Sequence, residues 1–252
     1  VITSIIISVF IFVHIFFLIA LLRKNFSVID IGWGPGCFLA VAVAWYYGAS
    51  SLKSNLLFLA VALWALRLGF YILSRGLGKG EDPRYTKLRN EWRPRENIQA
   101  YLKVFLLQGT LMIIVSLPAT AAIAASDQSL SWINWLGLMT WGTGFCLEIW
   151  SDHFLSKWKA QESHRGKICT EGPWKICRFP NYFGEILLWY GIFLLGFSRE
   201  SAWAVLGSLA INFFIVKVTG IPPLERKYMS REDYREYAKR VPRLIPFMKA
   251  SS

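Results

Sequence analysis

Charge is scarce in this chain. Asp, Glu, Lys and Arg make up only 17% of its 252 residues, against 54% hydrophobic and 16% aromatic. A soluble domain of this length carries more charge and shorter apolar runs, so a water-soluble fold is excluded. No positive charge precedes the first apolar run, Ile2 to Leu22, and Arg23-Lys24 follows it. A secretory signal has its charges on the other side, so the run reads as a retained span rather than a cleaved leader. Four cysteines show no pairing logic: Cys37 and Cys146 lie in apolar runs, and Cys169 and Cys177 in a basic loop. No disulfide framework is expected. His14, His153 and His164 are scattered, and the eight-residue gap between Cys169 and Cys177 fits no zinc spacing, so no metal is expected. The chain also lacks a nucleophile elbow, internal repeats and low-complexity segments.

What the chain has is apolar runs of about bilayer-crossing length. They sit at 2–22, 28–49, 55–74, 104–125, 132–151, 183–198 and 202–219. The fold expected is therefore all-α: a polytopic membrane protein of about seven transmembrane helices. Charge sets its orientation. With the N-terminus outside and the C-terminus cytoplasmic, the inside segments 23–27, 75–103, 153–180 and 217–252 hold 25 of the 28 Lys and Arg. The positive-inside rule requires that arrangement. It also explains the net charge of +12 without a nucleic-acid partner.

Three parts follow: residues 1–75, a cytoplasmic loop 76–103, and residues 104–252 with a cytoplasmic tail. The loop opens on Gly76, Gly78 and Gly80, but no strand precedes them and the third glycine is misplaced for a dinucleotide fingerprint. A flexible, lipid-facing loop is expected there. Pro222-Pro223 must end the last span. The following ERKYMSREDYREYAKRVPRLIPF reads as one amphipathic helix with Tyr228, Tyr234 and Tyr237 along it.

Few polar groups enter the spans. Asp30 opens the second, Arg67 lies in the third, Glu148 and Asp152 close the fifth, and Asn181 and Glu185 open the sixth. A helix puts Asn181 and Glu185 on one face. There is a bland explanation: Asp30 caps the second span, Glu148 and Asp152 pair with Arg67 or the loop lysines, and nothing is bound. Together, on one leaflet, these residues suggest a polar cavity open to the cytoplasm. Lys157, Lys159, Arg165, Lys167, Lys175 and Arg178 lie in the adjacent loop. Such cations hold topology and touch anionic headgroups. They also suit the phosphates of a ribose-bearing cofactor, while carboxylates and Asn accept from its hydroxyls.

The stretch EIWSDHFLSKWKAQESHRGKICTEGPWKICRFPNYFGEILLWYG resembles the C-terminal domain of the steroid 5-alpha-reductase superfamily. Its DUF1295 branch also shows an Asp-x-Gly-Trp-Gly, here Asp30 to Gly34, and the tail is similar to the end of sterol C14- and C7-reductases. More distantly, Arg-x-Pro-Asn-Tyr-x-x-Glu is similar to isoprenylcysteine and phospholipid methyltransferases. The resemblance implies NADPH as cofactor. It places Asp152, Lys159 and Lys167 where an Asp and two Arg reach the cofactor, Asn181 and Glu185 on the family's Asn and Glu, and Arg226, Tyr228 and Tyr237 in a tail closing over the nucleotide. Glu148, Arg178 and Tyr182 join this cofactor set. Lys in place of Arg keeps the charge but loses bidentate phosphate contact.

The implied chemistry is hydride transfer to the beta carbon of an enone whose ketone is polarised by a proton donor. The family's donor pair is a Glu in Gln-Glu-x-Pro and a following Tyr, and this sequence has neither in that form. Asp30 is the nearest carboxylate, with Trp64 and Tyr71 of the third span near the second position. The substrate implied is a hydrophobic small molecule, sterol-like or isoprenoid, drawn from the lipid of a bacterial inner or endoplasmic-reticulum-type membrane. Residues 1–75 would choose it and 104–252 would bind the cofactor. Two other readings stand beside this one. The first is an S-adenosylmethionine-dependent methyltransferase, disfavoured by the six cations and by Phe179 where those enzymes place His. The second is a non-enzymatic lipid- or nucleotide-binding membrane protein.

Overall fold

A computed structural model describes residues 1–76 and 80–248. Gly78 of the glycine-rich stretch lies outside the described residues. Among those described there is helix and no strand. Five segments are long and apolar enough to cross a membrane: Ile2–Arg23, Val28–Tyr47, Leu52–Gly76, Glu96–Ala124 and Ala202–Tyr228. The expected runs 132–151 and 183–198 fall on two further helices outside that set. One of these, Pro180–Leu195, has 16 residues. The other, Trp132–Ala160, is long but interrupted by Asn134, Glu148, Ser151 and Asp152, all buried.

The chain divides into two compact units, Val1–Ser131 with Gly196–Gly207, and Trp132–Leu195 with Ser208–Ser252. The first holds α1 (Ile2–Arg23), α2 (Val28–Tyr47), α3 (Leu52–Gly76), α4 (Pro83–Glu91), α5 (Glu96–Ala100) and α6 (Leu106–Ala124). Helix α2 packs against α1, α3 and α6. Its glycines explain how. A Cβ on Gly32 would stand 2.8 Å from Phe16, on Gly34 3.0 Å from the Ala65 carbonyl, and on Gly36 2.3 Å from the Met112 sulfur. Small residues let apolar helices approach where no hydrophobic force separates lipid from protein. The stretch Gly32–Gly36 is thus where three helices close on α2, with Asp30 just before it in the helix's first turn.

Residues 80–103 are not a flexible loop. Asp82 accepts the Arg84 N–H at 2.9 Å and Pro83 sits in the first turn, so the segment caps itself into α4. On the other face of the membrane segments, Lys53 is 1% exposed. Its ammonium donates to the Asp127 carbonyl at 3.1 Å, tying the 125–131 turn to α3.

The second unit is organised by α7 (Trp132–Ala160) and α8 (Pro180–Leu195). Gly137 and Gly144 on α7 and Gly184 and Gly191 on α8 are each seven apart, so each pair shares one face. A Cβ on Gly137 would lie 2.1 Å from the Leu195 nitrogen, and one on Gly191 2.3 Å from the Trp141 nitrogen. Gly144 and Gly184 face each other's carbonyls at 2.5 and 2.8 Å from such a Cβ. The order of these contacts makes the pair antiparallel. Asn134 adds two hydrogen bonds, to the Leu194 and Leu195 carbonyls at 3.2 and 2.9 Å.

Beyond α9 (Val205–Phe213) the tail is two helices, α10 (Ile221–Tyr228) and α11 (Glu232–Arg240), not one. The segment that starts at Ala202 breaks its helical pattern at Thr219–Gly220, and Pro222-Pro223 open α10 rather than trailing α9. Acidic Glu232 and Asp233 begin a new first turn, where they complement the helix dipole, and this splits the amphipathic stretch at Met229–Arg231.

Candidate functional site

Chemistry-bearing residues collect in two places, one in each unit. In the first, α4 is strapped to the turn between α1 and α2. Glu81 accepts the Phe26 N–H at 2.6 Å and pairs with Arg89 at 2.8 Å. Arg89 in turn donates to the Lys24 carbonyl at 3.2 Å and lies 3.9 Å over the Phe26 ring. This strap carries Tyr85, which is buried, onto Asp30. The Tyr85 hydroxyl donates to Asp30 Oδ1 at 2.5 Å. Gln108 of α6 donates to the Tyr85 oxygen at 3.2 Å and to Asp30 Oδ1 at 3.4 Å. Arg84, its side chain largely exposed, reaches Asp30 Oδ2 at 2.9 Å while also holding Asp82 at 3.0 Å.

Burial first, then the Asp30 carboxylate, pushes the Tyr85 phenol well above the usual tyrosine range. Tyr85 therefore keeps its proton at neutral pH. Of the residues expected beside Asp30, Trp64 is fully buried within the helix packing. Tyr71 lies 5.8 and 5.3 Å from the guanidinium groups of Arg67 and Arg75, and Arg75 donates to its hydroxyl at 3.4 Å. Tyr85, Gln108 and Arg84 were not singled out in the sequence. The readable signal was Asp82-Pro83, a helix start that would have placed Tyr85 in the first turn of a helix.

In the second unit, the antiparallel pairing of α7 and α8 brings the end of one to the start of the other. Asn181 donates to Asp152 Oδ1 at 3.4 Å. Glu148 and Asp152 are 3% and 6% exposed, and Asn181, Tyr182 and Glu185 are half-buried on the first turns of α8. Lys159 and Lys167 are exposed, at the end of α7 and in the loop after it. The acceptors and the cations are thus separated by burial: carboxylates and amide inside, ammonium groups at the surface.

The tail packs on the loop that leads into α8. Tyr237 is buried and its hydroxyl donates to the Trp174 carbonyl at 2.6 Å. Tyr228 stacks on Tyr234 at 5.5 Å, and Arg226 is exposed on α10. Arg178 is buried and pairs with Glu225 of α10 at 3.3 Å. Burial pushes the Tyr234 phenol up to about 12 and the Cys177 thiol up to about 11, so both are neutral in the physiological range. Among the described residues no group of His, Cys, Asp and Glu could hold a metal.

The sequence profile of a family described as a protein of unknown function, DUF1295, matches residues 16–241. Steroid 5-alpha-reductase DET2 of Arabidopsis thaliana is 30% identical over 125 residues, 47% of this chain and 44% of that protein. The 3-oxo-5-alpha-steroid 4-dehydrogenase 1 of Homo sapiens is 29% identical over 113 residues, 45% of this chain and 41% of that protein. The chain thus spans less than half the length of these curated relatives in its matches. No solved structure matches the chain.

Proposed function

The chain belongs to the DUF1295 family, and from that premise we propose that it is a membrane-embedded, NADPH-dependent reductase. Its reaction would saturate the C=C bond of an enone in a hydrophobic, sterol-like or isoprenoid substrate. The observation that carries the reading is the Tyr85 hydroxyl donating at 2.5 Å to Asp30, with Gln108 on both. A buried phenol hydrogen-bonded to a partly exposed carboxylate at the start of an apolar helix forms a pair fit to supply a proton to a developing oxyanion. The printed names of the curated relatives, a steroid reductase and a 3-oxo-steroid dehydrogenase, point the same way.

Bound NADPH would supply the hydride for the beta carbon. Negative charge would then develop on the ketone oxygen, and the Tyr85 O–H would turn from Asp30 to donate to it while Gln108 still donates to the phenol oxygen. Arg84 would balance the Asp30 charge left when the phenol turns away. The donor set of the second unit fits a nucleotide: Glu148, Asp152, Asn181, Tyr182 and Glu185 for ribose hydroxyls and carboxamide, Lys159, Lys167 and Arg226 for phosphates. Tyr228 offers a ring beside Arg226, while the Tyr237 hydroxyl is taken by Trp174.

A topology with the N-terminus outside would put the Asp30 end of α2 at the cytoplasmic face. The Lys and Arg distribution supports it. Trp45, Tyr46 and Tyr47, exposed at the far end of α2, and Trp203, exposed at the start of the last span, suit headgroup level at those span ends. The test uses NADPH deuterated at the transferable position and a 3-keto-Δ4 sterol in detergent micelles or vesicles. Deuterium at the beta carbon of a saturated product is the expected result. NADPH left unconsumed with sterol and isoprenoid enones alike would remove the reading.

A further inference from the structure

Arg178 is the cation nearest to Asn181 in sequence, yet it is built unlike the others. Its side chain is 4% exposed, whereas Lys159, Lys167 and Arg226 are at the surface. Its Nη2 pairs with Glu225 Oε1 at 3.3 Å, and Glu225 Oε2 pairs with Arg243 at 2.9 Å. The Arg178 N–H donates to the Pro242 carbonyl at 2.9 Å, and its guanidinium lies 6.0 Å from the Tyr234 ring centre. The tail therefore grips the short stretch Trp174–Arg178 at both ends, by Tyr237 on the Trp174 carbonyl and by Glu225 and Pro242 on Arg178.

The Arg178 guanidinium is closed off from the surface, with Glu225 on one of its nitrogens and the Tyr234 ring beside it. Buried ion pairs seldom stabilise more than a well-packed apolar cluster would, but their geometry admits one arrangement. The carboxylate shared by two guanidinium groups sits on α10, next in sequence to Arg226.

We infer that Arg178 is a positioning residue, not a cofactor contact: through Glu225 and Arg243 it seats α10 and α11 on the loop entering α8, and so sets where Arg226 and Tyr228 lie. The inference rests on reading the Asn181 cluster as a nucleotide site. A phosphate-contacting Arg178 would act alone, whereas a seating Arg178 acts only as a pair with Glu225.

The test compares R178M, E225Q, their double variant and the apolar triple R178M/E225M/R243M in the purified chain. Three readouts are taken: NADPH affinity, melting temperature and protease cleavage within residues 225–243. R178M and E225Q should each weaken NADPH about ten-fold or more, as small misplacements do. The double variant should be no worse than either. The triple variant should melt close to wild type and still bind NADPH weakly, which a merely stabilising role would not produce. E225Q binding NADPH normally while R178M does not would overturn the inference, as would a triple variant with wild-type affinity. If the wild-type chain binds no NADPH, the nucleotide reading fails. The seat is then judged by the tail alone: equal new cleavage in R178M and E225Q upholds it, and unchanged cleavage sinks it.

Discussion

Asp30→Asn and Tyr85→Phe are each expected to lower turnover by about 10²- to 10⁴-fold, the usual worth of a positioned proton donor, with NADPH affinity unchanged. Asn keeps the size of Asp30 and can still accept from Tyr85, but it removes the charge that Arg84 and Tyr85 converge on. Phe keeps the ring of Tyr85 in its buried place and removes only the hydroxyl. Because the two groups act as one unit, the double variant should be little worse than the worse single, the pattern seen when catalytic residues depend on each other. Tyr71→Phe should cost no more than a few-fold, since its hydroxyl is engaged with Arg75. Initial rates of enone-dependent NADPH oxidation measure all four. Full turnover in Tyr85→Phe with loss in Tyr71→Phe would move the donor back to the third helix.

Gly184→Val is the second large effect, and it acts through packing. A Cβ at position 184 would meet the Gly144 carbonyl at 2.8 Å and the Glu148 nitrogen at 2.9 Å. Both atoms are backbone, so no side chain can swing away. Overpacking of a core costs about 1–3 kcal/mol and more when backbone must move, and Val adds two methyl groups beyond that Cβ. The helices must separate or slide just where α8 carries Asn181 and Glu185 past Asp152. The expected outcome is either no folded protein after detergent extraction or a folded one that has lost NADPH binding. Gly184→Ala should show a milder version of the same defect. Size-exclusion profile and melting temperature report the first outcome, and equilibrium binding the second. A Gly184→Val chain with wild-type melting and affinity would contradict the close α7–α8 contact.

The all-helical class was legible because runs such as 2–22 and 55–74 are too long and apolar for anything else, and α1 and α3 coincide with them within a few residues. Asn181 beside Asp152 was legible in part. Spacing put Asn181 and Glu185 on one face, but only the glycine pairs at 137, 144, 184 and 191 decide which helix that face meets. Gly144 and Gly184 mean nothing in sequence until an antiparallel partner is known. The partners of Asp30 were hidden for a different reason. Tyr85 and Gln108 are 55 and 78 residues away, and hydrophobic periodicity carries no information about polar contacts at that range. The segment around Tyr85 was misread as flexible because its charge and glycines outweighed the Asp82-Pro83 start signal. The tail was misread in the opposite sense, as one helix, because its amphipathic pattern continues across the Met229–Arg231 turn. Arg178 could not be told from its neighbouring cations, since burial is not written in charge.

The most direct test of the account is which cofactor the purified chain recognises. Anything that binds the folded state alone raises its melting temperature by mass action, by an amount equivalent to about 2.7 kcal/mol at a hundred-fold excess over Kd. Thermal unfolding is followed in detergent with saturating NADPH, NADH or S-adenosylmethionine, on the wild-type chain and on Asn181→Ala. The account predicts stabilisation by NADPH that Asn181→Ala weakens, and none by S-adenosylmethionine. Stabilisation by S-adenosylmethionine alone would contradict it.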